Sequence, residues 1–184
     1  MKWFQFQLNR NSLFTNYKVN KFKPQISKYC SYCSHIEGFS HLEVVSHLFF
    51  DCDFVLKLWQ EKKTWLATLN INIPLDRNKL IFGIHDEAIF SPTNYVILCT
   101  KYFIWRTKFL SKDLSLGLFH RYLFAKLNDQ RNAFIYSGKM HQFNQMNVIY
   151  NCLSRLPGCS AQNEAPLPDQ VLTGRLPPDP VPTT

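Results

Sequence analysis

Several features that would place the chain in a familiar class are missing from its 184 residues. No stretch approaches the roughly 20 apolar residues that a membrane-spanning helix needs. A secretory signal is also missing, because Gln5 and Gln7 interrupt the first apolar run and no small-residue cleavage site follows them. We therefore expect an intracellular protein, nuclear or cytoplasmic, with no membrane partner and with its six cysteines reduced.

The sequence also lacks the residue patterns of common catalytic sites. Nucleotide polymerisation uses paired carboxylates to hold two metal ions, but the chain contains no Asp-Asp pair, and its closest acidic pair is Asp86-Glu87. We find no Ser-His-Asp set, no glycine-rich phosphate loop and no HExxH motif. We interpret His85, His120 and His141 as surface or packing residues. The chain is therefore not expected to be an enzyme or to take a small-molecule substrate.

Acidic residues are missing from one end of the chain, and its net charge of +8 is unevenly distributed. Residues 1–28 hold six Lys/Arg and no acid, and residues 88–156 hold nine Lys/Arg against two acids. Blocks of positive charge attract polyanions, of which nucleic acid is the usual one, although they can also serve solubility alone. Four lysines of the first block, here called the lysine run, are the predicted contacts for RNA or single-stranded DNA: Lys18, Lys21, Lys23 and Lys28.

Aromatic residues are missing from the other end of the chain. Seven of the ten prolines lie at or after Pro157, and no aromatic residue follows that position. Such a composition buries too little apolar surface to offset the entropy lost on ordering, so we predict a disordered, Pro-rich C-terminal tail. The hydrophobic pattern already fades after Ser137, and we expect residues 137–184 to be irregular and largely disordered.

Cysteine and histidine form the most informative pattern that is present: Cys30 and Cys33, then His47 and Cys52. In this C-x2-C-x13-H-x4-C spacing, two thiolates from a tight turn and a His-Cys pair can complete the tetrahedral shell of one zinc ion. Three sulfurs and one imidazole leave no open position, which predicts a structural zinc site. His41 is an alternative third ligand, but it would need a ten-residue reach to Cys52.

Hydrophobic periodicity predicts a mainly α fold, in which a small zinc-stapled Cys-Cys-His-Cys module packs with several helices. Helices are expected near residues 3–16, 53–69, 91–109 and 115–134. We expect the Asp53 carboxylate to cap the second helix. Ser91-Pro92 and Ser115 are expected to start the third and fourth, because Ser caps a helix and Pro fits its first turn. Residues 79–84 are predicted to form either a strand or an apolar linker.

The third predicted helix has a wide aromatic face. We interpret its rings as core, although rings of this kind can also stack on nucleic-acid bases. Lys101 and Lys108 lie largely off this face, and together with Arg106 they are candidate phosphate contacts. In the second helix, the methylene groups of the Lys62 side chain are expected at the edge of the apolar face.

The cysteine and histidine pattern, with its neighbours, resembles the segment that follows the polymerase domain in reverse transcriptases of LINE-type, non-LTR retrotransposons. The residues that carry the resemblance are Cys30, Cys33, Glu43, His47, Leu48, Phe49, Cys52 and Trp59. It extends over residues 3–132 but departs at Val44, where the family has Thr, and in a longer loop after Cys33. The resemblance implies a zinc-binding, nucleic-acid-binding fragment from the C-terminal end of such a reverse transcriptase, without its polymerase active site.

We accordingly divide the chain into four parts. These are a basic N-terminal helix and connector (1–28), a reverse-transcriptase-type zinc-binding module (29–66), a helical region (67–136) and the irregular tail (137–184). The expected function is binding of RNA or single-stranded DNA by a module with a structural zinc ion. The alternatives are a zinc-dependent protein-interaction module and a nonfunctional retrotransposon remnant. RNA binding that weakens strongly with added salt would favour nucleic-acid binding over protein interaction.

Overall fold

The computed structural model describes residues 1–34, 41–84, 91–109 and 114–159. Within these ranges the chain is mainly helical and forms no strand, apart from an isolated antiparallel bridge between Tyr29 and Leu42. The predicted mainly α fold is therefore confirmed. The tail for which disorder was predicted begins at Pro157. Residues 157–159 are described, with Cys159 buried, and the rest of the tail lies outside the described residues.

Seven α-helices, a π-helical turn and a 3-10 helix follow one another along the described chain. Their bounds are α1 (Lys2–Asn9), α2 (Asn16–Asn20), the π turn (His47–Asp51), α3 (Asp53–Ala67), α4 (Arg77–Phe82), α5 (Pro92–Phe109), α6 (Leu116–Tyr136), the 3-10 helix (Met140–Met146) and α7 (Asn147–Leu153). None of the helices in the described ranges combines the length and apolar character that crossing a bilayer requires.

The helix starts follow the predicted capping residues in two of three cases. The Ser91 hydroxyl accepts a hydrogen bond from the Asn94 amide at 3.2 Å, and the Ser115 hydroxyl accepts one from the Leu118 amide at 3.2 Å. The prediction for Asp53 was wrong, because Cys52 occupies the capping position and Asp53 lies in the first turn of α3. Its carboxylate there still lies near the positive end of the helix dipole.

The first predicted helix is shorter than expected. α1 ends at Asn9, and Asn11 takes a left-handed conformation with φ of 48°. Asn is one of the few residues that adopts this region readily, so it ends the helix and turns the chain. Leu13 nevertheless reaches the core, with 1% of its surface exposed.

Helix α5 lies at the centre of the fold and is buried on most of its sides. Its aromatic rings are core, as predicted: Phe103 and Trp105 are 4% and 3% exposed. The placement of Lys101 and Lys108 off the buried face was wrong, since both are also buried. The amine of Lys101 donates to the carbonyl of Ile81 and to the Gln5 side chain, because α1 and α4 cover that side of α5.

Residues 79–84 form neither of the predicted structures. They belong largely to α4, which starts where the Asp76 side chain accepts a hydrogen bond from the Lys79 amide at 2.9 Å. The helix ends at Gly83, whose φ of 89° lies in the region that favours glycine. The Asp cap and the closing Gly thus fix a single short helix around Leu80, its buried residue.

The region after Ser137 is more ordered than predicted. The 3-10 helix and α7 bury four apolar side chains at three- to four-residue spacing: Phe143, Met146, Ile149 and Leu153. The Phe143 ring packs 6.3 Å from that of Phe134, which joins this segment to α6. This spacing is itself a helical period, so the sequence contained the signal and the prediction gave it too little weight.

Lys62 is fully buried in α3, whereas it was predicted to lie at the edge of the apolar face of that helix. Its amine lies 3.7 Å from the ring centroid of Phe119 and 4.6 Å from that of Trp59. It finds no hydrogen-bond partner among the described residues. Burial holds the pKa of Lys62 well below its ordinary value, because an amine removed from water resists protonation.

Two of the three scattered histidines lie in the described chain. His120 packs against Trp65 with ring centroids 4.4 Å apart, in agreement with the packing interpretation. Burial, with a smaller effect of Lys62, lowers the pKa of His120 to about 4. His141 is exposed, and His85 lies outside the described residues.

Candidate metal centre

A tight turn positions the first cysteine pair. The amide of Ser34 donates to the carbonyl of Cys30 at 3.0 Å, which closes the turn that carries Cys33. Two further hydrogen bonds join this turn to residues 41–43. The amide of Cys30 donates to the carbonyl of His41 at 2.9 Å, and the amide of Glu43 donates to the carbonyl of Lys28 at 3.0 Å. These bonds align the turn with the segment that leads to His47.

The π-helical turn positions the second pair. In an α-helix, residues five apart lie about 140° apart around the axis, so His47 and Cys52 would point in different directions. Here the amide of Cys52 donates to the carbonyl of His47 at 3.0 Å. This bond spans five residues, one more than an α-helical hydrogen bond, so the turn is wider. The wider turn brings both side chains toward the cysteine turn. Trp59 supports it by donating its indole hydrogen to the Phe49 carbonyl at 2.9 Å.

The structure brings all four predicted ligands together in one buried cluster. The ligand atoms of Cys30, Cys33, His47 and Cys52 lie within 4.8 Å of one another. The Cys33 sulfur is 3.3 Å from Nε2 of His47, and the sulfurs of Cys30 and Cys52 are 4.0 Å apart. Ideal tetrahedral zinc bonds place sulfur and nitrogen about 3.5 Å apart and two sulfurs about 3.8 Å apart. The cluster could therefore hold a metal ion.

His41, the alternative ligand, lies beside the cluster but does not belong to it. Its ring stacks on that of His47, with centroids 5.1 Å apart and planes inclined by 26°. His47 is buried and directs Nε2 at Cys33, whereas His41 is exposed. The geometry therefore favours His47 as the third ligand.

The three thiols perturb one another. The hydrogen bond between Cys30 and Cys52 lowers the pKa of Cys30 to about 5. Burial, followed by the charge on Cys30, raises the pKa of Cys33 to about 11, and the hydrogen bond to Cys30 raises that of Cys52. The charge of one thiolate thus opposes the ionisation of its neighbours, which hold their protons. A divalent metal ion would replace those protons and let all three sulfurs carry charge.

Glu43 is a second buried charge beside the cluster. Its carboxylate accepts hydrogen bonds from the amide of Asn16 at 2.7 Å and from the amide of Ser31 at 3.2 Å, and it forms an ion pair with Lys108. One side chain therefore joins the N-terminal segment, the cysteine turn and α5. Reasoning from the sequence found Glu43 only through the family resemblance, although an isolated acid before an apolar run was a visible signal.

The cysteine turn is also fixed directly to α5. The Tyr32 hydroxyl donates to the carbonyl of Ile104 at 2.6 Å and lies 2.9 Å from the Thr107 hydroxyl. The Asn16 amide group donates to the carbonyl of Tyr29 and to the Ser31 hydroxyl, both at 3.0 Å. The cluster and its turn are thus held on the helical core by polar bonds, in addition to apolar packing.

The lysine run lies just before this turn. Lys21 and Lys28 are exposed, while Lys18 and Lys23 are half-buried. The amine of Lys18 donates to the backbone and side chain of Asn11. The amines of Lys21 and Lys28 lie over the rings of Tyr17 and Tyr29, at 4.7 and 5.5 Å. Within the described ranges, no ion pair joins Lys18, Lys21 or Lys28 to an acid.

The other candidate phosphate contacts are less accessible. Lys108 is held by Glu43 and Lys101 by Gln5, and both are buried, so the phosphate role predicted for them was wrong. Arg106 is half-buried. The lysine run and Arg106 are therefore the predicted phosphate contacts that keep access to solvent.

Comparison of the chain with known protein families, with curated proteins and with solved structures finds no match. The resemblance to LINE-type reverse transcriptases accordingly stays a prediction based on the cysteine and histidine pattern.

Proposed function

We propose that this chain is a zinc-binding module that binds RNA or single-stranded DNA, related to the segment after the polymerase domain of LINE-type reverse transcriptases. The observation that carries the proposal is the buried cluster of Cys30, Cys33, His47 and Cys52. Three thiolates and one imidazole suit zinc, whereas calcium and magnesium prefer oxygen ligands. All four positions of a tetrahedral ion would be filled by protein, so the zinc ion is structural.

The zinc ion would connect two segments that few other bonds join. It would link the turn at residues 30–33 to the π turn at residues 47–52. Lys28 lies two residues before Cys30, and its carbonyl is bonded to the amide of Glu43. The ordered turn therefore fixes the end of the lysine run relative to the helical core. Its charges then act from defined positions and not from a flexible arm.

The positive charge of the lysine run suits a ligand that carries phosphate groups. Residues 1–34 contain no acid, and Glu43 is buried and paired with Lys108. Lysine contacts to phosphate carry no sequence information, so we expect binding with little sequence preference. For single strands, each neutralised phosphate adds about 0.7 to the slope of log affinity against log salt concentration.

The experiment compares two sets of four substitutions that change the net charge equally. In the first set, each lysine of the lysine run is changed to Gln. In the control set, four exposed cations elsewhere are changed to Gln: Lys63, Lys79, Lys139 and Arg155. Fluorescence anisotropy with labelled oligouridylate then measures affinity over a range of salt concentrations.

The first set should flatten the salt slope by up to about 3, because four phosphate contacts are lost, whereas the control set should change it by less than about 1. Equal effects of the two sets would show only a diffuse attraction of a basic protein for polyanions. They would refute a localised nucleic-acid site on the lysine run.

A zinc-dependent protein-interaction module is the second candidate, and one observation favours it. Trp3 and Phe6 are 58% and 49% exposed, and their three-residue spacing places them on the same side of α1. Exposed aromatic side chains of this kind are common in protein interfaces. If the wild-type protein showed no salt-dependent binding of nucleic acid, this surface would become the better candidate for function.

A further inference from the structure

Phe22 is an exposed aromatic side chain in the middle of the lysine run. Phe22 is 80% exposed, more than Phe14 or Phe82, at 55% and 54%, although less than Tyr136, at 92%. Lys21 and Lys23 flank it directly. Phe22 takes no part in the core, and its ring is open to contact by a ligand that also reaches the two flanking cations.

The backbone around Phe22 is ordered by local hydrogen bonds. The amides of Phe22 and Lys23 donate to the carbonyl of Val19 at 3.0 and 2.8 Å. The Asn20 side chain donates to the carbonyls of Pro24 and Ile26, at 3.2 and 2.7 Å. The turn after α2 is therefore tied on both sides of Phe22. The ring is held out into solvent by a defined turn.

We propose that Phe22 is a base-stacking site for a single-stranded nucleic acid whose phosphates contact the lysine run. The inference rests on the proposed function and names a second kind of contact at the same surface. Proteins that bind single strands without sequence preference combine cations along the backbone with aromatic platforms for the bases. Every base has a flat face, so stacking on Phe22 does not depend on sequence.

Stacking on Phe22 would also distinguish single strands from duplexes. In a duplex the base faces are covered by their neighbours, and only phosphates are offered to the protein. The lysine run contributes to both kinds of ligand, whereas Phe22 contributes only to the single strand. Phe22 should therefore change strand preference without changing the number of phosphates contacted.

The test compares Phe22→Leu with Phe82→Leu, which makes the same substitution at an exposed position flanked by Ile81 and Gly83. Anisotropy measures binding of labelled oligouridylate and of a duplex RNA of the same length. Phe22→Leu should weaken single-strand binding by about 5- to 150-fold. The salt slope and the duplex affinity should not change, and Phe22→Trp should retain the affinity of the wild type.

The possible results separate the two proposals. If wild-type protein binds oligouridylate and Phe22→Leu binds it equally well, or loses single-strand and duplex binding alike, the stacking site is refuted and the lysine site stands. If wild-type protein binds neither ligand, both proposals fall. Circular dichroism checks that Phe22→Leu is folded, and sedimentation checks that its oligomeric state equals that of the wild type. A loss of affinity that follows a change in oligomeric state would also overturn the stacking site.

Discussion

Replacing Lys62 with Met should stabilise the protein, which is the reverse of the usual effect of changing a fully buried residue. The Lys62 side chain is 0% exposed, and its amine has no hydrogen-bond partner among the described residues. The amine lies over the aromatic faces of Phe119 and Trp59, at 3.7 and 4.6 Å. Met is also unbranched and adapts to irregular space, so it can fill the same volume without the amine.

Two opposing contributions set the magnitude. The cation–π contacts of a desolvated amine stabilise the folded state by about 2 kcal/mol. Removing an unpaired charge from water costs several kcal/mol, even after relaxation of the protein. Desolvation is the larger of the two, and burial accordingly lowers the pKa of Lys62. We therefore expect Lys62→Met to raise the free energy of unfolding by about 1–3 kcal/mol at pH 7.

The advantage of Met should shrink as the pH rises. The folded pKa of Lys62 lies below its unfolded value, so between the two values the unfolded chain binds more protons. Wild-type stability from this residue therefore increases with pH, by up to about 1.4 kcal/mol per pH unit and about 1–3 kcal/mol in all, until the unfolded amine is also neutral. The nearby Cys99 does not obscure this trend, because burial raises the pKa of its thiol to about 12 and keeps it protonated in the folded protein between pH 7 and 10.

Urea denaturation at several pH values between 7 and 10 measures this difference. Lys63→Met is the matched control, because Lys63 is the exposed neighbour and its substitution should change stability by less than about 0.5 kcal/mol. Lys62→Ala should destabilise, since it leaves a cavity. A Lys62→Met protein that is less stable than the wild type at pH 7, or whose advantage is constant with pH, would show that the amine is not desolvated as described.

Three further predictions concern the buried charges, the cluster and activity. Glu43→Gln should lower the free energy of unfolding, measured by urea denaturation, by about 3–5 kcal/mol, because Lys108 is then buried without its charged partner. Asp53→Asn, the control at an exposed position, should lower it by less than about 1 kcal/mol. Cys52→Ser should weaken zinc binding more than about 100-fold in a chelator competition, whereas Cys99→Ser, outside the cluster, should leave it unchanged; similar losses would place the metal elsewhere. A primed RNA template with magnesium and nucleotides should show no extension above the buffer control, because the sequence has no Asp-Asp pair, and extension by rigorously purified protein would contradict this.

The main helices were predictable because their signals are local. Ser91-Pro92 and Ser115 start α5 and α6 through bonds within one turn, and the same residue types do so in most helices. The four residues of the cluster were also predictable, because the spacing of metal ligands follows from the geometry of tight turns. Spacing also favoured His47 over His41, but the π turn that orients His47 has no clear sequence signal and was seen only in the structure.

The errors share a physical cause, which is that burial depends on partners far along the chain. Lys101 and Lys108 resemble surface residues in sequence, but their amines bind Gln5 and Glu43, which lie at least 65 positions away. Lys62 is enclosed by Phe119 of α6 in the same way. Helical periodicity indicates which face a residue occupies, but it does not say which other elements cover that face.

Metal analysis together with X-ray absorption at the zinc edge tests the central claim most directly. Protein produced in zinc-replete medium should carry about one zinc ion per chain, with three sulfurs at about 2.3 Å and one nitrogen at about 2.0 Å. Removing the ion with a chelator should weaken the helical signal and lower the melting temperature, because metal binding and local folding are coupled. Folded protein without zinc, or a zinc shell dominated by oxygen, would contradict the site formed by Cys30, Cys33, His47 and Cys52.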